Sequence, residues 1–527
     1  MSPESGSPLP IPIKHEITLP SPPLAAALGM AASYYCYPFI ISVSIGQFIL
    51  SGLLFILVVM VGLQRTIESL PGMNTPTVKK YGILLLAATA GFSLGIAARR
   101  NFPGPAELGL APERVVALSG ILREDPRTLQ GGSGMGVIEL KGSSALGGLR
   151  ASARGRVTIF FPEESIPRLK EFGRGCEIYA DGTFYTSDTG SYNAEPSRGF
   201  LFRASSVHVV KPAPSLEAFR TGLRILLLEK FQNRQGRKYG DLMPPVWGGL
   251  ASALLLGVRD DLDVSLSAGF RDSGCSHILA LSGMHLAIIS GALVFLIRRP
   301  LGIRKASIIG AAFIILYVFV AGSQPSLVRA AIMYLIGTFA LLGFLKGKPL
   351  SLLCLAFIIQ LLLQSDTGVS LSFVLSYLAL FGILTLGESL RSLFRGRLPE
   401  IIAGGLSASI GAFVFTAPVV SLFFGSQRPI GIIAGLLLAP ISSVFMIFSL
   451  AALAVSFLPF PLWDALDFVL TQVYRILESI VSIAGHVPGL SVPNAYAVLA
   501  FSLLFWLLIL FLNKRDMAHR NSIASFD

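Results

Sequence analysis

Long apolar stretches alternate with short polar segments through most of this chain, and this alternation constrains the fold more than any other feature. One membrane span needs about 20 apolar residues, so 24–64 has room for two spans, 81–98 for a third, and 250–512 for about eight or nine more. A mean hydropathy of +0.69, with 53% hydrophobic and 14% charged residues, excludes an ordinary soluble protein. The pattern predicts a polytopic α-helical membrane protein with about 11–12 spans.

A polar segment between residues 101 and 214 interrupts the apolar pattern. It contains short alternating runs separated by Gly and Pro clusters, which are typical of β-strands. Their spacing is expected of a small barrel or sandwich, so the sequence predicts an inserted all-β domain of about five strands. The predicted strands are 115–123, 136–141, 156–161, 176–185 and 200–210.

An amphipathic segment follows the β domain. Between residues 215 and 232, apolar residues recur at helical spacing beside charged ones, which predicts a helix lying in the membrane interface. The apolar set is Leu216, Phe219, Leu223, Leu226 and Leu227, and the charged set is Glu217, Arg220, Arg224 and Lys230. The predicted organisation is a polar tail without a cleaved signal peptide (1–23), three spans (24–100), the β domain (101–214), the interfacial helix and linker (215–240), a membrane block (241–512) and a C-terminal tail (513–527).

Positive charge in short loops predicts the orientation, because loops rich in Lys and Arg stay on the cytoplasmic side. Three loops, each two crossings from the next, carry such charge: Arg298, Arg299, Arg304 and Lys305; Lys346 and Lys348; and Arg391, Arg395 and Arg397. This pattern predicts that the β domain lies on the outer face and the N-terminal tail in the cytoplasm. Segment 464–484 has a polar stripe, so it either spans the membrane or lies in the interface, and the side of the C-terminus depends on which.

Motifs for nucleotides and metals are absent from the sequence. The Gly347-Lys348 pair is followed by Pro349, so no Walker A phosphate loop is encoded, and no HExxH motif or His pair at i, i+4 spacing occurs. The four cysteines lie far apart without a CxxC pair. We therefore expect no ATP site, no metal, no cofactor and no catalytic residues.

The densest polar cluster of the apolar region is the run FRDSGCSHILALSGMHL at 270–286. His277 and His285 lie in it with Ser282 and Gly283 between them, and ionisable residues at membrane depth usually face a cavity, a pathway or each other. These four residues are candidates for a pathway or gate. The alternatives are close helix packing by Gly and Ser and a hydrogen-bonded structural His. A hydrolase with Ser282 as nucleophile would lack a nearby carboxylate to orient its base.

Further polar residues lie deeper in the membrane block. Arg329 falls about one turn inside a predicted span, where an isolated charge costs roughly 2.5 to 3.5 kcal/mol on insertion scales. It either faces water or an anion, or extends toward the outer headgroups. Ser370, Ser372 and Ser376 recur at short spacing and either line a polar seam or serve helix packing. Arg329 and Ser372 complete the candidate channel lining.

Basic and aromatic residues are interleaved in the β domain, a combination that suits single-stranded nucleic acid. The candidates are Arg150, Arg154, Arg156, Phe160, Tyr179 and Tyr185. Aromatic residues in strands also form cores, which is the alternative for these rings. Residues 101–211 hold 13 Lys and Arg against 12 Asp and Glu, so the domain is not the strongly basic surface that tight phosphate binding predicts.

The order of parts and several motifs resemble the ComEC family of competence proteins. The run GCSHILALSGMHL is similar to the family signature G-x-x-H-x-x-A-x-S-G-x-H, with Gly274, His277, Ala280, Ser282, Gly283 and His285 in place. Looser matches are Leu256-Gly257 with Arg259-Asp260 to LGxR, residues 322–333 to GxxPSxxRAxxM, and Leu371-Ser372-Phe373 to LSF. Gly435 stands where the family's NLLAxP has Asn, and Val369-Ser370 replaces Phe-Gln before LSF.

This resemblance implies that the β domain is an OB-fold. It also implies that the membrane block is a channel for one DNA strand across the cytoplasmic (inner) membrane of a bacterium during natural transformation. The implied partners, besides membrane lipids, are single-stranded DNA, an outer-face DNA receptor, and a cytoplasmic ATPase or single-strand-binding proteins. No HxHxD motif occurs, so we expect the family form without a C-terminal metallo-β-lactamase-like domain. Two other functions stay open, a secondary transporter for a small anion or lipid and an intramembrane hydrolase.

Overall fold

The fold is described by a computed structural model over residues 22–40, 75–100, 106–129, 131–185, 201–232, 246–343, 348–457, 463–492 and 494–523. Residues 1–100 form one compact unit, and residues 101–527 form a second.

The first unit contains helices α1 (Pro22–Ile40) and α2 (Thr75–Arg100), which pack closely on each other. Small residues allow this contact: a Cβ atom at Gly91 would lie 1.9 Å from the carbonyl oxygen of Ala26. Glycine serves close helix packing in membranes in the same way. The predicted first and third spans fall in these two helices, and the predicted second span lies outside the described residues.

The inserted domain is built from seven strands and one main helix. These elements are β1 (Val115–Leu122), β2 (Arg127–Thr128), β3 (Gly134–Ala145), β4 (Arg150–Ser152), β5 (Arg156–Phe161), α3 (Ile166–Phe172), β6 (Glu177–Tyr185) and β7 (Leu201–Lys211). The five predicted strands correspond to β1, β3, β5, β6 and β7 and are confirmed. The short strands β2 and β4 and the helix α3 were not predicted.

The five main strands close into a barrel. Going round the ring, β1 pairs with β3, β3 with β5, β5 with β7, β7 with β6, and β6 with β1. All of these pairs are antiparallel except β5 with β7. A small closed barrel of five strands is OB-fold-like. Residues alternate along β5, so Val157, Ile159 and Phe161 fill the barrel, whereas Arg156, Thr158 and Phe160 face outward.

Helix α4 (Ser215–Gln232) follows the barrel and has the predicted bounds. Its orientation reverses the simple expectation that charged residues face water. Leu216 and Phe219 are each 64% exposed on the protein surface, whereas Arg220 is only 1% exposed. The apolar face is therefore available to lipid, and the charged face packs against the protein.

The membrane block is helical. Its helices are α5 (Gly248–Leu256), α6 (Val264–Asp272), α7 (Ser276–Leu279), α8 (Gly283–Ala321), α9 (Pro325–Leu341), α10 (Pro349–Leu363), α11 (Leu371–Gly382), α12 (Glu388–Phe394), α13 (Glu400–Phe424), α14 (Gly431–Val455), α15 (Trp463–Gly485) and α16 (Ala495–Ile523). Two-residue strands β8 (Ser426–Gln427) and β9 (Leu490–Ser491) pair with each other. Among the described residues, six helical stretches are long and apolar enough to cross a membrane. The chain is therefore a multi-pass membrane protein.

Helix α8 is long enough for two spans. Its 39 residues would measure about 58 Å at 1.5 Å per residue, far more than the roughly 30 Å of a bilayer core. Pro300 lies inside it, and Gly302 has a φ of +75°, which breaks the helix. This break falls between Arg299 and Arg304, within the charged segment that sequence analysis predicts to be a cytoplasmic loop.

Helix α15 has one buried face and one charged face. Leu470, Tyr474 and Leu477 pack into the largest core of the membrane block, together with α6 and α14. Asp467, from the predicted polar stripe, accepts a hydrogen bond of 2.8 Å from the indole nitrogen of Trp247. Arg475, also of that stripe, is exposed.

Candidate functional site

A sharp turn begins the signature segment. Gly274 has a φ of +73°, a conformation that side chains rarely adopt, and a Cβ atom there would lie 2.9 Å from the carbonyl oxygen of Arg428. The Arg428 guanidinium donates to the carbonyl and the carboxylate of Asp272 at 3.0 and 3.3 Å and to the carbonyl of Val487 at 3.3 Å. Arg428 therefore ties the turn to the loop before α14 and to the end of α15. Sequence reasoning missed this residue.

Ser282 and His285 form the N-terminal cap of α8. The Ser282 backbone N–H donates to His285 Nδ1 at 3.1 Å, and its hydroxyl lies 2.8 Å from the same nitrogen. This reciprocal arrangement satisfies groups that a helix start otherwise leaves unpaired. Because Nδ1 accepts, the ring hydrogen is assigned to Nε2, which makes no hydrogen bond of ordinary geometry with the described residues. His285 is fully buried.

The cap is joined to the start of α9. The Ser326 hydroxyl donates to the Leu281 carbonyl at 2.5 Å, and a Cβ atom at Gly283 would lie 3.5 Å from the Cβ of Ala330. The side-chain amide of Gln360 donates to the Pro325 carbonyl at 2.9 Å. The signature turn, the start of α9 and helix α10 are thus held together by hydrogen bonds within the membrane block.

Arg329 lies one turn into α9 and is 8% exposed. Its guanidinium donates to the Ser376 hydroxyl on α11 and lies 5.7 Å from the centre of the Tyr377 ring. The Tyr377 hydroxyl donates to the Gln360 side-chain carbonyl at 2.8 Å. No described carboxylate is within ion-pair distance of Arg329. A hydroxyl and an aromatic face therefore hold this cation without neutralising it, and its side chain lies against α11.

The other two predicted lining residues differ from Arg329 and His285 in exposure. His277, on the short helix α7, and Ser372, on α11, both have exposed side chains. Ser370 caps α11 by accepting a hydrogen bond of 3.2 Å from the Phe373 backbone N–H. The structure thus brings together Ser282, Gly283 and His285 at the cap and Arg329 on the adjoining helix.

The predicted nucleic-acid residues of the barrel are scattered over its outside. Arg150 and Arg154 are exposed, and Phe160 and Tyr179 point outward and are half-buried, so neither ring lies in the barrel core. Tyr185 ends β6, and its side chain lies outside the described residues. Arg156 is not a free cation, because it forms an ion pair with Asp366 of the membrane block.

An ion cluster around the buried Arg220 joins the barrel, α4 and α8, and sequence reasoning missed it. Arg220 binds Asp125 through both of its terminal nitrogens and donates from Nε to the Phe319 carbonyl at 2.8 Å. Arg224 lies 3.1 Å from Asp125 and donates to the Ala321 carbonyl, also at 3.1 Å. We call this set the anchor: Asp125, Arg220, Arg224, and the flanking pair Arg174 and Glu217 at 2.7 Å. The only signal in the sequence was the i, i+4 spacing of the two arginines on α4.

The anchor perturbs the titration of Asp125. Burial alone would raise the pKa of its carboxyl, but the hydrogen bond from Arg220 and the charges of Arg224 and Arg220 outweigh burial and lower the pKa to about 2. The group is therefore ionised at physiological pH. Among the described residues, no group of three or more His, Cys, Asp or Glu side chains is arranged to hold a metal ion.

Comparison with known proteins identifies the family to which this chain belongs. The family model described as "Competence protein" matches residues 254–516, a range that contains the signature turn and Arg329. The chain belongs to the ComEC family of competence proteins. The matched range covers the membrane block and leaves out the barrel and the anchor residues on α4.

Two relatives are similar to parts of this ComEC family chain. The protein "ComE operon protein 3" of Bacillus subtilis (strain 168) is 26% identical over 292 residues, which is 53% of this chain and 36% of the relative. An "Uncharacterized protein" of Aquifex aeolicus (strain VF5) is 23% identical over 326 residues, 61% of this chain and 73% of the relative. The match thus spans about a third of the Bacillus relative's length. No solved structure matches the chain.

Proposed function

We propose that the chain is a channel through which one DNA strand crosses the cytoplasmic membrane during natural transformation, with the barrel on the outer face. The observation that carries this proposal is the setting of Arg329. It is a cation 8% exposed inside a membrane block and has no carboxylate partner among the described residues. An unneutralised cation in such a place suits an anionic ligand, and it adjoins the signature turn of a competence family.

The mechanism needs Arg329 to attract phosphates without retaining them. Conduction requires binding that is favourable enough for a ligand to enter and weak enough for it to leave. Ser376 and Tyr377 position the guanidinium through neutral contacts, so its charge remains available to each phosphate in turn. The cap formed by Ser282 and His285 fixes the neighbouring turn, and we assign these residues a gate or positioning role rather than a chemical one.

The orientation and the partners follow from the same proposal. Positive charge near Gly302 supports a cytoplasmic position for that break of α8. The C-terminal end of α8, where the anchor holds the barrel, would then face outward. The barrel would receive single-stranded DNA from an outer-face receptor. A cytoplasmic ATPase or single-strand-binding proteins would supply the driving force, because the sequence contains no Walker A motif.

A secondary transporter for a small anion is the second candidate, because one buried cation also suits one small anion. The attached barrel favours the DNA channel, since OB-folds bind oligonucleotides and a small-anion carrier has no need of one. An intramembrane hydrolase is disfavoured by the geometry of Ser282, whose hydroxyl serves a helix cap. No described carboxylate pairs with His285 to orient it as a base.

The test replaces the channel gene of a naturally transformable bacterium with this one. Labelled DNA that reaches the cytoplasm is measured as nuclease-protected counts, with membrane expression of each variant verified by immunoblot. We expect uptake with the native chain, a loss of more than tenfold in Arg329→Glu, and substantial retention in the charge-conserving control Arg329→Lys. Equal uptake by the native chain and Arg329→Glu would remove Arg329 from the path.

A further inference from the structure

The barrel touches the membrane block at two partly exposed ion pairs in addition to the anchor. Arg156, the first residue of β5, pairs with Asp366 in the short helical segment Ser365–Val369. Lys170 on α3 lies 2.7 Å from Asp260, which also accepts a hydrogen bond of 3.2 Å from the Thr128 backbone N–H. In both pairs the barrel supplies the cation and the membrane block supplies the carboxylate.

The two pairs bracket strand β5. Thr128 is in register with Gly134 of β3, and Gly134 is in register with Phe161, the last residue of β5. Asp366 is therefore attached at the start of β5, and Asp260 contacts β2 at the level where β5 ends. The strand between these two levels is about 17 Å long at 3.3 Å per residue. Thr158 and Phe160 share the face of Arg156, so the outward face of β5 lies between the attachments.

The cations of these pairs are partly exposed, unlike Arg220 of the anchor, and this makes the pairs exchangeable. The side chains of Arg156 and Asp366 are 41% and 24% exposed, and those of Lys170 and Asp260 are 38% and 18% exposed. Exposed pairs contribute little and are screened by salt. A phosphodiester is an anion that can take the place of either carboxylate, and a strand presents many of them along its length.

We propose that Arg156 and Lys170 form a phosphodiester-binding site that Asp366 and Asp260 occupy in the resting protein. An incoming strand displaces the two carboxylates, and the outward face of β5, which carries Phe160, lies between the two cations. This inference rests on the proposed function, and it adds a self-ligand to the site, because carboxylates of the membrane block occupy the two cations until a polyanion competes for them.

The test measures binding of a fluorescein-labelled 20-residue oligothymidylate to the full chain in nanodiscs by fluorescence anisotropy at several salt concentrations. Removing a competing carboxylate should tighten binding, so Asp366→Asn and Asp260→Asn should each lower the Kd by about two- to fivefold. The salt dependence should also become steeper, because a freed cation neutralises an additional phosphate. A merely structural role of these aspartates predicts weaker binding or no change.

Two controls distinguish displacement of the aspartates by phosphodiesters from a general effect of removing negative charge. Glu124→Gln removes a more exposed carboxylate, 53% accessible, that pairs with Arg127 within the barrel at 3.3 Å, and it should leave the Kd nearly unchanged. Arg156→Gln should abolish the gain from Asp366→Asn in the double variant.

The proposed displacement of the aspartates is overturned if Glu124→Gln tightens binding as much as the aspartate variants do. It is also overturned if the gain from Asp366→Asn survives Arg156→Gln. Absence of oligonucleotide binding by the native chain and every variant overturns both the exchange and the proposed DNA path, whereas native binding without a gain overturns the exchange alone.

Discussion

The barrel is joined to the membrane block in two ways that use the same chemistry in different surroundings. At the anchor, Arg220 is 1% exposed and bound to Asp125 and to a helix carbonyl. At the face of β5, Arg156 is 41% exposed and bound to Asp366. Removing one member of a buried pair costs about 3–5 kcal/mol, whereas an exposed pair contributes about 0–1 kcal/mol. The same Arg–Asp contact is thus a fixed joint in one place and an exchangeable one in the other.

This contrast suits a barrel that stays attached to the membrane block at the anchor while its other contacts with that block can separate. The anchor reaches the last carbonyls of α8, at Phe319 and Ala321, immediately before the segment that leads to Arg329. It therefore holds the barrel beside the candidate gate. The pairs at Arg156 and Lys170 are additional contacts of the barrel, and their separation would leave the domain attached through the anchor.

The largest expected effect is at the anchor. Arg220→Met removes the buried guanidinium and leaves Asp125 with weaker partners, and we expect a loss of about 3–5 kcal/mol in the free energy of unfolding. The measurement is thermal unfolding in detergent, with limited proteolysis to locate the loss in the barrel. The matched variant is Arg156→Gln, which removes the other Arg of an Arg–Asp joint. Equal losses in the two variants would remove the distinction between the joints.

Acid should weaken the anchor in a defined range of pH. The pKa of Asp125 is lowered to about 2 in the folded protein, against about 3.9 in an unfolded chain. A carboxyl with a lowered pKa contributes stability above its unfolded pKa and loses it as pH falls through its folded pKa. We expect about 2 kcal/mol to disappear between about pH 4 and pH 2. Asp125→Asn should flatten this part of a stability profile recorded against pH, and an unchanged profile would contradict the assignment.

The smallest effect belongs to the exposed joint. We expect Arg156→Gln to lower the free energy of unfolding by less than about 1 kcal/mol, and this difference should shrink further as salt rises, because solvent and ions screen the pair. Unfolding of the native chain and the variant at low and high salt measures it. A loss above 2 kcal/mol that persists at high salt would make this contact a second fixed joint.

The sequence predicts local features of this protein well. Alternation identified the five main strands, helical spacing identified α4 with its bounds, and the charges from Arg298 to Lys305 marked the break within α8. Each of these depends on residues close together in the chain. The signature segment and Arg329 could be singled out for the same reason, because an ionisable residue in an apolar run is visible without a structure.

Long-range pairings were not predictable in this way. The parallel contact of β5 with β7, the pairing of Arg156 with Asp366, and the contact of Arg428 with Asp272 join residues far apart in sequence. Periodicity assigned the charged face of α4 to the membrane interface. It could not show that Asp125, in a loop of the barrel, is the ion-pair partner of the arginines on that face. The partner of a charge depends on tertiary packing, so the distinction between the two joints required the fold.

The most direct test of the central claim is transport by the purified chain. The chain is reconstituted in liposomes that enclose a single-strand-binding protein, a labelled oligonucleotide is added outside with the barrel facing out, and label that survives external nuclease is counted. We predict protected label that requires the chain and falls more than tenfold in Arg329→Glu. The DNA channel would be contradicted if the protected label is no higher than in empty liposomes while the same vesicles transport a small anion. That result would establish the transporter in its place.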